Sequence, residues 1–189
     1  MTQKEQQRRA MLRVRADFIN SLTPIALHTL EDLLIQNFYT TLKNRSVLSI
    51  GAYWATPREV PTLRLLESLE ARGISLGLPR LEGDKMIYHL WHAEQPLLSG
   101  NYGLLEPSPT APTCTPDICI IPLVAFDQQG HRLGYGKGHF DRYLKLNPYV
   151  QTVGWAFDCQ EVPAVFQEPH DQPLDCVITP TRILEFSEF

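Results

Sequence analysis

Between Pro122 and Leu144 the chain reads PLVAFDQQGHRLGYGKGHFDRYL. An apolar run gives way to a turn in which Gly134, Gly136 and Gly138 alternate around Tyr135 and Lys137. A helical segment then opens on His139, Phe140, Asp141 and Arg142. Alternating glycines permit positive φ and let backbone amides approach a ligand closely, and a following helix adds unpaired N–H groups and the positive end of its dipole. With the Lys137 ammonium inside it, such a turn has the parts of a polyphosphate site. It fits neither common nucleotide fingerprint: position 139 is His where GxGxxG needs glycine, and position 131 is His where a Walker-type loop would begin with one. On pattern alone it reads equally as a tight strand-to-helix connection, with Asp141 a first-turn acid favoured by the helix dipole and Arg142 a solvated residue.

The 189 residues include 17 Lys and Arg against 21 Asp and Glu, a net charge of -4 that argues against a nonspecific nucleic-acid binder. Positive charge is nevertheless concentrated near the start. Lys4, Arg8, Arg9, Arg13 and Arg15 face only Glu5 over the same stretch, a cationic helix that an anionic ligand can use. The opening residues, MTQKEQQRRA, hold no apolar run, so neither a secretory signal nor a membrane span starts there, and a cytoplasmic protein is expected. Cys114, Cys119, Cys159 and Cys176 form no CxxC pair and are expected as reduced thiols.

The elements that must position these groups follow from pattern. Residues 4–20 have helix-forming composition, and Thr23-Pro24 offers an N-cap with Pro at the first position of a helix running to about Lys43. VLSIGAYW, residues 47–54, reads as a buried strand, and Thr56-Pro57 as the start of a third helix. That helix would gather Leu63, Leu65, Leu66 and Leu69 on one face and end at Gly73, followed by the strand ISLGLPRL. Strand, helix and strand in succession mark a crossover unit of a parallel sheet. Further strands are expected at 86–91, 118–124, 152–157 and 175–178, with the Pro-rich stretch 106–116 an ordered surface loop. The sum is an α/β layout in one domain.

The run Phe126, Asp127, Gly130, Arg132, Leu133, Gly134, Gly136, Gly138, Phe140, Asp141, Arg142 resembles the signature of the 5-formyltetrahydrofolate cyclo-ligase (5,10-methenyltetrahydrofolate synthetase) family. The likeness continues through VGWAFDCQEVPAVFQEPHDQPLDCVITPTRI and reaches back loosely to SIGAYWATPREVPT and GNYGLLEPSP. It implies a three-layer, Rossmann-like α/β fold of the CoA-transferase-like type, with a mostly parallel central sheet flanked by helices. It also implies ATP-dependent closure of 5-formyltetrahydrofolate to 5,10-methenyltetrahydrofolate through a phosphorylated formyl (iminium phosphate) intermediate, releasing ADP and phosphate. A bland alternative is an ATP- or folate-binding α/β protein that acts on another small anionic metabolite or lacks turnover.

The resemblance assigns roles by position. ATP would lie over Gly134, Tyr135, Gly136, Lys137, Gly138, His139, Phe140, Asp141 and Arg142, with Lys137 and Arg142 as the catalytic cations and Asp141 with Asp171 holding Mg²⁺. A basic pair one helical turn apart would also meet ATP. Arg9 with Arg13 is preferred because Leu12 precedes the second basic residue, over Lys4 with Arg8. Glu59 would face the pterin, and Trp54, Tyr102 and Phe140 would contact substrate through aromatic faces. The expected partner is a small reduced folate, polyglutamylated forms included, bound by a monomer with no nucleic acid and no membrane. His139-Phe140 stands where the family commonly has two tyrosines, and Glu59-Val60-Pro61-Thr62 departs from its usual helix start.

Overall fold

A computed structural model of the chain describes residues 1–43 and 46–187. Helix α1 (Gln3–Ser21) begins in a capping box, Thr2 accepting from the Glu5 amide and Glu5 from the Thr2 amide. Helix α2 (Pro24–Thr41) follows the Thr23 N-cap with Pro at its first position, as expected. The first strand, β1 (Ser49–Gly51), is shorter than its apolar run. Helix α3 (Leu63–Glu70) starts well after Thr56-Pro57. Glu59 closes its carboxylate back onto the Thr56 amide at 2.7 Å as in a capping box, but Pro61 disfavours helical backbone at Val60 and excludes the earlier start. Leu65, Leu66 and Leu69 of α3 are buried, whereas Leu63 is 44% exposed and lies off the apolar face. Gly73, at φ 76°, ends this segment as predicted.

Strands β2 (Ser75–Glu82) and β3 (Lys85–Trp91) form a hairpin. The two-residue strands β4 (Leu98–Ser99), β5 (Leu105–Glu106) and β6 (Thr113–Cys114) follow; β6 is set in the Pro-rich stretch and lies at the sheet edge, where proline is tolerated. Then come β7 (Ile118–Pro122), β8 (Ala125–Phe126), β9 (Arg132–Leu133), α4 (His139–Leu146), β10 (Gln151–Trp155), β11 (Cys176–Ile178) and β12 (Ile183–Glu185).

The main sheet has eight strands in the order β12-β11-β10-β7-β1-β2-β3-β6. Its five central strands are parallel and its three outer ones antiparallel to their neighbours. Period-two alternation divides the core. Ile118 and Ile120 of β7 pack with α2 and α3 side chains such as Phe38 and Leu66, while Cys119 and Ile121 point the other way, toward Tyr143 and Leu144 of α4. Helices therefore cover both faces, in three layers. From β1 the chain crosses to β2 on one side, and from β7 it crosses to β10 and β11 on the other. Between β1 and β7 lies the point where strand order reverses, the place at which open α/β sheets bind ligands beyond their strand ends. No helix among the described residues is long and apolar enough to cross a membrane, and the four cysteines form no disulfide.

Candidate active site

A cavity of about 590 Å³ opens beyond the ends of β1 and β7, with Tyr53 and Trp54 after the first strand and Pro122 at the end of the second among its walls. The Gly134–Gly138 turn forms another wall. It is launched by the β8–β9 hairpin, whose reversal is held by Asp127. This buried carboxylate accepts from the Gln129, His131 and Val165 amides at 2.9, 3.1 and 3.0 Å, and its Oδ2 lies 3.1 Å from His131 Nδ1. Burial alone would raise its pKa, but the donors together hold it below the usual aspartate value. Gly136 at φ 88° and Gly138 at φ 67° take left-handed backbone that side chains disfavour, and Gly138 is the cap from which α4 departs.

Cations surround this turn. Arg8 Nε donates to the Gly134 carbonyl at 2.8 Å and its guanidinium lies against Gly136. Lys137 stands over the Tyr102 ring at 5.0 Å. Lys4 bridges Asp171 at 2.6 Å and Glu168 at 2.8 Å. For Lys4, burial acts to lower the pKa but is outweighed by hydrogen bonds to both acids, so it is raised; Asp171 is correspondingly lowered, its own burial overcome by Lys4 and the Glu168 amide. Arg132, buried in the wall, hydrogen-bonds Asp141 and the Gln172 carbonyl.

The structure thus brings Gly134, Tyr135, Gly136, Lys137, Gly138, His139, Phe140, Asp141 and Asp171 to one cavity, and with them Trp54, Glu59 and Tyr102. It leaves two sets of predicted residues outside. The basic pair facing the cavity is Lys4 with Arg8, not Arg9 with Arg13: Arg9 is exposed, and Arg13, with a side chain 85% exposed, pairs with Asp17 on the outer surface. Helical phase is the reason, since Lys4, Arg8 and buried Arg15 fall within about 40° of one another around the axis while Arg9 and Arg13 lie about 140° and 180° away. Arg142 is exposed on the flank of α4, donating to the Asp84 carbonyl at 3.3 Å and lying 3.0 Å from His139 Nδ1, so it does not line the cavity. Arg132, which the sequence pattern contained but to which no role was attached, is the arginine turned inward.

Aromatic side chains line the same cavity. Trp54 packs edge-on against Trp91 at 5.7 Å between centroids. Tyr102, 68% exposed with φ 56°, holds its ring 6.3 Å from that of His139. Burial, then the Arg142 charge, keep His139 below the usual histidine range, so its ring is neutral at neutral pH. Glu59, 8% exposed, is a buried acid of the same cavity. Cations about the glycine turn suit a polyanion, and an acid among aromatic side chains in the same cavity suits a flat heterocycle with N–H donors. Asp141 and Asp171 offer hard carboxylate oxygens beside the glycine turn, a donor set that suits Mg²⁺, and each is held by a cation, Arg132 and Lys4 respectively.

Residues 1–180 match the model of the 5-formyltetrahydrofolate cyclo-ligase family. A 5-formyltetrahydrofolate cyclo-ligase of Haemophilus influenzae is 33% identical over 183 residues, 92% of this chain and 96% of that protein. One of Escherichia coli K12 is 32% identical over 147 residues, 73% of this chain and 81% of that protein. The solved structure of 5,10-methenyltetrahydrofolate synthetase from Aquifex aeolicus superposes with a TM-score of 0.83 at 25% identity, covering 100% of this chain and 95% of that one.

Proposed function

The chain belongs to the 5-formyltetrahydrofolate cyclo-ligase family, and we propose that its cavity carries out the ATP-dependent closure of 5-formyltetrahydrofolate to 5,10-methenyltetrahydrofolate. The observation that carries this reading is one cavity lined both by a cation-flanked glycine turn and by Glu59 with the aromatic rings of Trp54 and Tyr102. The γ-phosphate would lie against the Gly134–Gly138 amides, with Arg8 and Lys137 offsetting its charge. Arg8 and Lys4 take the part first given to Arg9 and Arg13, and Arg132 orients Asp141. Mg²⁺, held by Asp141 and Asp171, would neutralise phosphate oxygens. The pterin would sit against Trp54 and Tyr102 with its N–H groups on the Glu59 carboxylate.

In this arrangement the formyl oxygen of the substrate attacks the γ-phosphorus, ADP leaves, and an N5-iminium phosphate results. N10 then attacks the activated carbon, the C–O bond breaks, and phosphate departs with the N10 proton lost to solvent. No nucleophilic side chain is needed. The protein holds the formyl oxygen in line with the γ-phosphorus and stabilises charge on the transferring group. Neutral His139 and Phe140, in place of hydroxylated rings, border the phosphate end without adding charge.

Purified protein with 5-formyltetrahydrofolate and MgATP should form methenyltetrahydrofolate, followed by its absorbance, with one ADP released per product. Lys137→Ala should lower kcat about 10²–10³-fold, the loss typical of one electrostatic contact to a transition state. Product formed without ATP, or binding of both ligands with no turnover, refutes the assignment.

A further inference from the structure

The two cations of α1 that face the cavity are held differently. Arg8 donates to a backbone carbonyl, so its charge stays available to a ligand. Lys4 is tied to two carboxylates, Asp171 at 2.6 Å and Glu168 at 2.8 Å. Lys4 holds Glu168 below the usual glutamate value, chiefly through that hydrogen bond, and Asp171 is lowered too, so both acids are ionised at neutral pH. One ammonium balances one of them. A negative charge is left over in the wall of the cavity, which all three residues line. Asp171 has a use as a metal ligand; Glu168, with a side chain 54% exposed, has no part in the chemistry above.

This pairing is built into the loop. The Glu168 amide donates to Asp171 Oδ2 at 2.8 Å and the Asp171 amide to the Glu168 carbonyl at 3.0 Å, a closed turn from which both carboxylates reach Lys4. Gln7 donates to the Ala164 carbonyl at 2.7 Å and accepts from the Phe166 amide at 3.2 Å, which ties the same loop to α1. One ligand atom from each of Glu168, His170 and Asp171 lies within 4.8 Å of the others, a spacing at which two carboxylates repel unless a cation stands with them. Lys4 is that cation. If a phosphate draws Lys4 away, the two acids face each other and the phosphate with nothing to balance them. A nucleotide arriving with its own metal ion brings the replacement, and a free one does not.

We propose that Glu168 is a specificity-determining residue: its charge makes the site take the nucleotide as a metal complex and turn away the free polyanion. This rests on the assignment of the turn to ATP and of Asp171 to Mg²⁺. Asp171 balanced by Lys4 would be a neutral pair that a free triphosphate could split at lower cost, so the second acid sets the discrimination. Direct titration of a non-hydrolysable ATP analogue into the full-length protein, with Mg²⁺ or with EDTA at matched ionic strength, reads it as a ratio of affinities. A pH of about 8 leaves imidazole uncharged and takes His170, 3.8 Å from Glu168, out of the charge count.

The unaltered protein should bind the Mg²⁺ complex about fivefold or more tighter than the free analogue. In Glu168→Gln, which keeps an acceptor for Lys4 and removes the charge, the free analogue should bind about three- to fivefold tighter, the modest factor expected of a half-exposed group. Its Mg²⁺ complex should stay within about twofold, which also reports that the variant is folded. Glu168→Asp keeps the charge and should keep the ratio. A part in loop stability would move both affinities alike and leave the ratio of Glu168→Gln unchanged, and selective weakening of the Mg²⁺ complex would make Glu168 a metal ligand; either result overturns the proposal. So does a ratio lost equally in Glu168→Asp, or equal binding of both forms by the unaltered protein. Failure of the unaltered protein to bind either form overturns the assignment of the turn itself.

Discussion

Asp127→Asn tests how the phosphate turn is supported. The carboxylate is 1% exposed and each of its oxygens is shared by two donors: Oδ1 by the Gln129 and His131 amides, Oδ2 by the Val165 amide and His131 Nδ1. An asparagine must put its NH₂ on one side. Facing Oδ1 it meets two backbone N–H groups. Facing Oδ2 it meets one, because His131 can change tautomer and accept, so this orientation is preferred. The Val165 amide is then a buried donor without a partner, worth about 1–3 kcal/mol, and the two surviving bonds lose their charge assistance, about 1 kcal/mol more. The expected loss is about 3 kcal/mol, or a fall of roughly 9 °C in Tm for a chain of this size.

Thermal or urea unfolding of both proteins checks the value, and its pH dependence checks the cause. The folded pKa of Asp127 is depressed, so its contribution is present above the unfolded value of 3.8 and disappears as pH falls through the folded pKa. The gap between the two proteins should therefore be full at pH 7 and narrow below about pH 4. A variant within about 0.5 kcal/mol of the parent at pH 7, the range of ordinary surface changes, would show that the hairpin does not depend on this carboxylate.

Lys4→Ala and Arg8→Ala should each weaken binding of an ATP analogue about tenfold or more, as expected for a lost charge-assisted contact, whereas Arg9→Ala and Arg13→Ala should change it less than about twofold; direct titration decides the register. Asp171→Asn should raise the Mg²⁺ concentration needed for half-maximal activity about tenfold or more. An unchanged requirement in that variant would remove Asp171 from the metal set.

Local pattern carried much of this molecule, and phase carried the rest. The strands at 75–82, 85–91 and 118–122 are legible because apolar runs bounded by Gly, Pro and Asp have few alternatives. The glycine turn is legible because positive φ demands glycine. The working face of α1 carries buried Met11 beside buried Arg15, with Lys4 and Arg8 in the same phase, and only a full helical-phase count separates it from the face of Arg9 and Arg13. A basic pair chosen by its neighbouring leucine accordingly landed on the outer surface. Arg132 and Arg142 flank the turn on either side in sequence; only the twist of a two-residue strand and the phase of α4 turn one inward and the other out. Thr56-Pro57 imitates a helix start because the Glu59 side chain closes back on the Thr56 amide much as a capping residue would, yet Pro61 stops the helix from forming.

The bond from Lys4 to Asp171 joins residues 167 positions apart. During synthesis the first helix is made well before the segment around Asp171 that partners Lys4 in its amino-terminal turn. Contacts of such separation form late, after the loop they close has lost its freedom. Ligand can thus stabilise only a nearly finished molecule. A product ending before Asp171 would lose Lys4's partner, a wall of the cavity and strands β11 and β12 of the main sheet.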